Sequence, residues 1–114
     1  MPRREVDLFF RDVLEAGTAI LHFTAGRNAT DYETDDYLRS AVERKFTIIG
    51  EALHEILAAD PSLETQISEA RRIVDFRNLL IHGYSIVKHD RVWGYVQRDL
   101  PRLLAEVRAL LPPA

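Results

Sequence analysis

The chain has 114 residues, 46% hydrophobic and 29% charged, with a net charge of −3 and no cysteine. This balance argues against disorder, and no apolar run approaches the roughly 18 residues of a membrane span. Missing thiols exclude a disulfide framework and thiolate metal sites, and a net negative charge leaves contact with a nucleic-acid backbone to some local basic patch.

The length suits one domain over residues 1–114 with one modest core. The N-terminal MPRREVDLFFRDVLEAG carries charges inside its apolar stretch, unlike a signal peptide, so a cytoplasmic protein with no membrane partner is expected. The dominant period is helical. From Glu5 to about Ala25, Val6, Phe9, Phe10, Val13, Ala16, Ile20 and Phe23 recur at three- and four-residue steps, and Gly26 stops the pattern. Polar residues 27–33 read as a loop, with Tyr32 in it. A second helix starts near Thr34 to Asp36, Tyr37 included, with the stripe Leu38, Val42, Phe46, Ile49, Leu53 and Ile56 facing inward. Gly50 interrupts it at a cost of about 1 kcal/mol relative to alanine, which points to close approach of another helix, placed at a dimer contact. Asp60-Pro61 is a stop and a new start. One broken helix or two short ones then run to His82, where Gly83 ends the segment. The last helix covers about Asp90 to Leu111. Pro101 should kink it near Gln97, because proline lacks the donor and crowds the carbonyl four residues back. Strand signals are weak, and the expected fold is all-α: an antiparallel bundle of four to five helices.

The stretch FRNLLIHGYS, Phe76 to Ser85, breaks the helical logic. At about 100° per residue, Arg77 lies mid-way across the apolar face marked by Ile73, Val74, Leu80 and Ile81, while Asn78 and His82 share one flank. An arginine cannot shed its charge, and burying it unpaired is costly. It therefore pairs with a carboxylate such as Glu43 or Glu51, or lies in an open cleft, or lines a subunit interface. A guanidinium beside an imidazole is also a phosphate-handling pair: one stabilises developing negative charge, the other moves protons.

Other groups carry weaker signals. Glu51-Ala52-Leu53-His54 has the Glu-x-x-His spacing of di-iron bundles, but the nearest extra glutamates, Glu43 and Glu55, sit on the same helix, so no metal or other cofactor is expected. Arg71, Arg72, Lys88 and Arg91 flank the motif and form either a local RNA-binding patch or a solvated charged face. Trp93 and Tyr95 read as core or interface aromatics before base-stacking platforms. His22 and His89 receive no role.

The run Arg77-Asn78-Leu79-Leu80-Ile81-His82-Gly83-Tyr84 resembles the R-x4-H-x-Y motif of the HepT-like toxins, a branch of the HEPN superfamily of helical ribonucleases. Ala41 to Arg44 with Ile48 to Ala52, and Val92-Trp93 with Asp99-Leu100-Pro101, resemble that family's flanking helices, so the likeness spans about Tyr37 to Leu111. The resemblance implies a homodimeric helical bundle whose two motifs share a cleft, and metal-independent cleavage of RNA by Arg77 and His82 with Asn78 as the accompanying polar residue. It also implies a partner, an MntA-type nucleotidyltransferase antitoxin, that adenylylates Tyr84 and silences the toxin. Two other readings stand beside it: a non-catalytic helical interaction module, and a nucleotide-binding module.

Overall fold

The computed structural model describes residues 2–83 and 86–112. Helix α1 (Arg3–Thr24) and the long α3 (Asp36–Ala59) pack along each other, α4 (Ala70–His82) lies against α3, and the C-terminal helix closes the bundle on α1. No strand forms among the described residues, so the all-α expectation holds. The predicted stripes are the buried ones. Phe10, Val13, Ile20, Val42, Phe46, Ile49, Leu53, Ile56, Leu100 and Leu103 are fully buried in one cluster. Phe46 meets Phe76 edge-on at 5.4 Å, a geometry that contributes about 0.5–1.5 kcal/mol beyond area burial. No helix in the described residues is long and apolar enough to cross a membrane.

The connection after α1 differs from the loop expected at residues 27–33. Gly26 does end α1, with a left-handed φ of 73°. A short helix α2 (Ala29–Thr34) then follows, opened by a capping box: Asn28 Oδ1 accepts the Asp31 N–H at 2.8 Å, and Asp31 accepts the Asn28 N–H at 3.0 Å. Tyr32 is not a loop residue. It is fully buried, 5.5 Å from the Trp93 ring and edge-on to His89 at 6.4 Å. A six-residue helix with one buried side chain has no periodicity to read, which is why the pattern missed it. Asp35 caps α3 by accepting the Leu38 N–H at 3.0 Å, and that bond, with Arg27 nearby, holds its carboxyl below the usual range. Tyr37 stands exposed at the helix start.

Asp60 caps a 3₁₀ turn, Pro61–Thr65, with Pro61 in its first positions, and α4 begins afresh at Ala70. The C-terminal helix is built from α5 (His89–Gly94), a π-helical turn (Tyr95–Asp99) and α6 (Leu100–Leu110). The distortion expected near Gln97 is this π turn. Pro101 has no N–H to offer Gln97, and the Leu100 N–H reaches back five residues to the Tyr95 carbonyl. Arg3 ties the two ends together by donating to the Leu110 carbonyl at 2.6 Å.

Gly50 marks the closest approach of two helices, and the neighbour is α4 of the same chain rather than a second subunit. A Cβ at Gly50 would overlap Arg77 Cβ, and would lie 2.7 Å from Arg77 Cγ and 3.4 Å from the Ile73 carbonyl oxygen. Gly50→Ala should therefore destabilise the fold by about 1–3 kcal/mol, because overpacking outweighs the ~1 kcal/mol gain in helix propensity. Urea unfolding checks this; a variant more stable than the parent would show that the helices separate without cost.

Candidate active site

Arg77 reaches the surface because its stem lies across Gly50. The residue is half-buried, with 24% of its side chain exposed. Its Nη1 donates to Asn78 Oδ1 at 2.8 Å and its Nη2 to Glu51 Oε1 at 3.3 Å. Two of the three arrangements open to the sequence thus occur together: a carboxylate across the bundle, which is Glu51, and a cleft open to solvent. The cleft has a volume of about 390 Å³ and is walled by Phe9, Asp12, Ile48, Glu51, Glu55 and Arg77, among others. Glu43 is buried one helical stretch away on α3. Arg77 Nε is buried and makes no hydrogen bond among the described residues.

Asn78 and His82 are both exposed and stand four residues apart, one turn of α4, so they face the same side. Asn78 links to the arginine: its amide oxygen accepts from the guanidinium. Gly83 follows as the C-cap of α4, its N–H bonded to the Leu79 carbonyl at 2.8 Å. Tyr84 lies outside the described residues. Chemically, the group offers a guanidinium, an amide donor and an imidazole along one edge. These can bind a phosphate and transfer a proton. The wall on the α1–α3 side is acidic, so an anion approaches from the Asn78–His82 side, or displaces Glu51.

The four flanking cations do not form one patch. Arg71 bonds Glu64 at 3.1 Å. Arg72 bonds Glu69 at 3.0 Å and lies 3.7 Å from Asp99, and the Glu69 contact raises its pKa further above the usual arginine value. Arg91 shares a cavity with Arg72, and Lys88 shares a different one with Arg91. The sequence reading missed Arg98, which joins Arg72 and Arg91; its signal was the seven-residue spacing from Arg91 on one helix face. Trp93 and Tyr95 pack partly buried against the core, with Tyr95 4.8 Å from the Phe76 ring. His22 is exposed. His54 is exposed beside Glu55 at 3.7 Å, and the described residues include no cluster of three or more His, Asp or Glu side chains arranged to hold a metal.

A family model for Ribonuclease HepT-like proteins matches residues 13–110. The chain is 29% identical to "Putative RNase MJ1380" of Methanocaldococcus jannaschii over 109 residues, 94% of this chain and 97% of that protein. It is 26% identical over 111 residues to "Putative RNase MJ1216" of the same organism, covering 97% of this chain and 91% of that one. A third relative, "Gamma-glutamylcyclotransferase and putative RNase MJ0434", is 27% identical over 109 residues; the match takes in 96% of this chain but spans only 49% of that longer protein. No solved structure matches.

The geometry separates folding from chemistry. His82→Ala and Asn78→Ala remove exposed groups and should change stability by no more than about 0.5 kcal/mol. Arg77→Ala uncovers Gly50 and should cost about 1–2 kcal/mol through lost packing. Chemical unfolding of the three variants checks the order; an Arg77→Ala protein as stable as the parent would contradict the seating of that stem.

Proposed function

The chain belongs to the HepT-like ribonuclease family, and we propose that it is a metal-independent RNA endonuclease in which Arg77, Asn78 and His82 carry the chemistry. The observation that supports this most is the Arg77–Asn78 contact, one turn from an exposed imidazole. It pre-orients a guanidinium that would otherwise lie flat in an apolar helix face. A ribose 2′-oxygen attacks the adjacent phosphorus while the bond to the 5′-oxygen breaks, leaving a 2′,3′-cyclic phosphate and a free 5′-hydroxyl. His82 moves a proton in this step, from the 2′-hydroxyl or to the departing oxygen. Arg77 and the Asn78 NH₂ bind the equatorial oxygens as charge builds. Glu51 holds the guanidinium until phosphate competes for it.

The acting form in this reading is a homodimer with two motifs on a shared cleft. Ile81, 45% exposed one turn beyond Arg77 on α4, and Leu8, 57% exposed one turn before Asp12 on α1, offer apolar surface suited to a second copy. The protein is then the toxin of a toxin–antitoxin pair. Its MntA-type nucleotidyltransferase partner adds AMP to Tyr84, two residues beyond His82, and the added bulk and negative charge keep phosphate away from the arginine. Arg71, Arg72, Lys88 and Arg91 contribute to holding the RNA. The same surface also suits a silent nucleotide-binding or interaction module, and activity separates the two.

Purified protein should cut single-stranded RNA in the presence of EDTA and leave cyclic-phosphate ends. His82→Ala and Arg77→Ala should each lower the rate by about 10²-fold or more, and stoichiometric adenylylation of Tyr84 should abolish it. Undiminished cleavage by folded His82→Ala protein would overturn the assignment of that residue. Activity after complete modification would overturn the silencing role of Tyr84.

A further inference from the structure

We propose that the outer face of the C-terminal helix is a second phosphate-binding subsite, built on Arg91 and Arg98, that holds an RNA strand away from the bond being cut. This rests on the ribonuclease reading of the chain. It adds a site that the R-x4-H-x-Y motif does not contain.

A cavity of about 590 Å³ lies apart from the Arg77 cleft. It lies between α4 and the C-terminal helix and is lined by Arg72, Asp90, Arg91, Tyr95, Arg98 and Asp99. The carboxylates do not neutralise it evenly. Asp99 is mostly buried and faces Arg72 at 3.7 Å, and Glu69 takes Arg72 at 3.0 Å. Asp90 accepts the backbone N–H of Arg91 at 2.9 Å. The guanidinium groups of Arg91 and Arg98 form no ion pair with any described residue, so two exposed cations remain uncommitted beside one cavity.

Local geometry shapes this arrangement. The π turn Tyr95–Asp99 displaces the helix register at the cavity, and such turns concentrate at functional positions. The Arg98 guanidinium folds back over Gly94, where a Cβ would sit 2.7 Å from Nη2, a contact that the exposed end of the side chain relieves by a small shift. Tyr95 forms the floor, with the Arg72 guanidinium 5.8 Å over its ring. Arg72 and His82 are ten residues apart on α4, about 15 Å along its axis, and both project toward its solvent side. A strand bound at His82 and running toward the start of α4 meets the cavity within a few nucleotides. Uncommitted guanidinium groups over a polar hollow suit a phosphodiester. An acidic peptide is the competing occupant.

The test is binding of a fluorescent 2′-deoxy-substituted RNA 20-mer, which cannot be cut, to the full chain across a salt series. Arg91→Glu/Arg98→Glu should weaken binding by about tenfold or more and reduce the slope of log K against log salt by about 1.4, the loss of two single-strand phosphate contacts. Arg4→Glu/Arg108→Glu, with the same net charge, should bind like the parent. In cleavage by Arg91→Glu/Arg98→Glu, the KM for long RNA should rise by about tenfold, and the KM for a dinucleotide substrate by less. Equal loss in the two double variants would overturn the subsite, as would parent-like binding by Arg91→Glu/Arg98→Glu, or competition by an acidic peptide but not by RNA. A parent protein that binds RNA in this manner but cleaves neither substrate would refute the nuclease reading and leave the subsite standing.

Discussion

The contact between Gly50 and the stem of Arg77 is the constraint on which the rest of the molecule turns. Two helices approach so closely there that no side chain fits on α3. The arginine crosses the gap instead of a hydrophobic residue, and its aliphatic stem completes the packing that a leucine would otherwise supply. The charged head is carried to the edge of the interface, where Glu51 and Asn78 receive it at 3.3 and 2.8 Å. A permanent charge in an apolar helix face, costly if buried unpaired, becomes a fixed group at a cleft.

That placement also explains the balance of charges around it. Arg77 is matched by one carboxylate that is itself half-exposed, so the pair is readily exchanged for another anion. Its Nε has no hydrogen bond among the described residues. The α1–α3 wall is acidic, whereas uncommitted cations gather on the C-terminal helix. In the proposed reaction a polyanion therefore runs along the outer face of α4, past His82, and away from Asp12 and Glu55.

Much of this was legible in the chain. The stripes in α1, α3 and the last helix named the core because their period is long and regular. Arg77 stood out on the wheel because no charged residue belongs in the middle of that face. Gly50 announced a close approach, but one sequence cannot say whether the neighbour is the same chain or another copy, and the answer was α4. Tyr32 was misread because helix α2 is one and a half turns long and held by a capping box rather than a stripe. The distortion at Gln97 was foreseen from Pro101, though its form, a π turn, depends on how Tyr95 and Leu100 pair across five residues. The flanking cations could be read as one patch or as a solvated charged face because only their nearness in sequence was visible. Their division among Glu64, Glu69 and the cavity depends on tertiary neighbours that no local pattern encodes.

The central claim is that the Gly50 contact seats Arg77 for phosphate chemistry, and the most direct measurement is the cleavage rate of Gly50→Ala protein at a temperature where it is fully folded. A methyl group at that position displaces the arginine stem by about an ångström, and a shift of that size in a positioned group costs about 10²-fold. The account predicts a fall of that order in kcat with KM little changed. A folded Gly50→Ala protein that cuts RNA at the parent rate would contradict it.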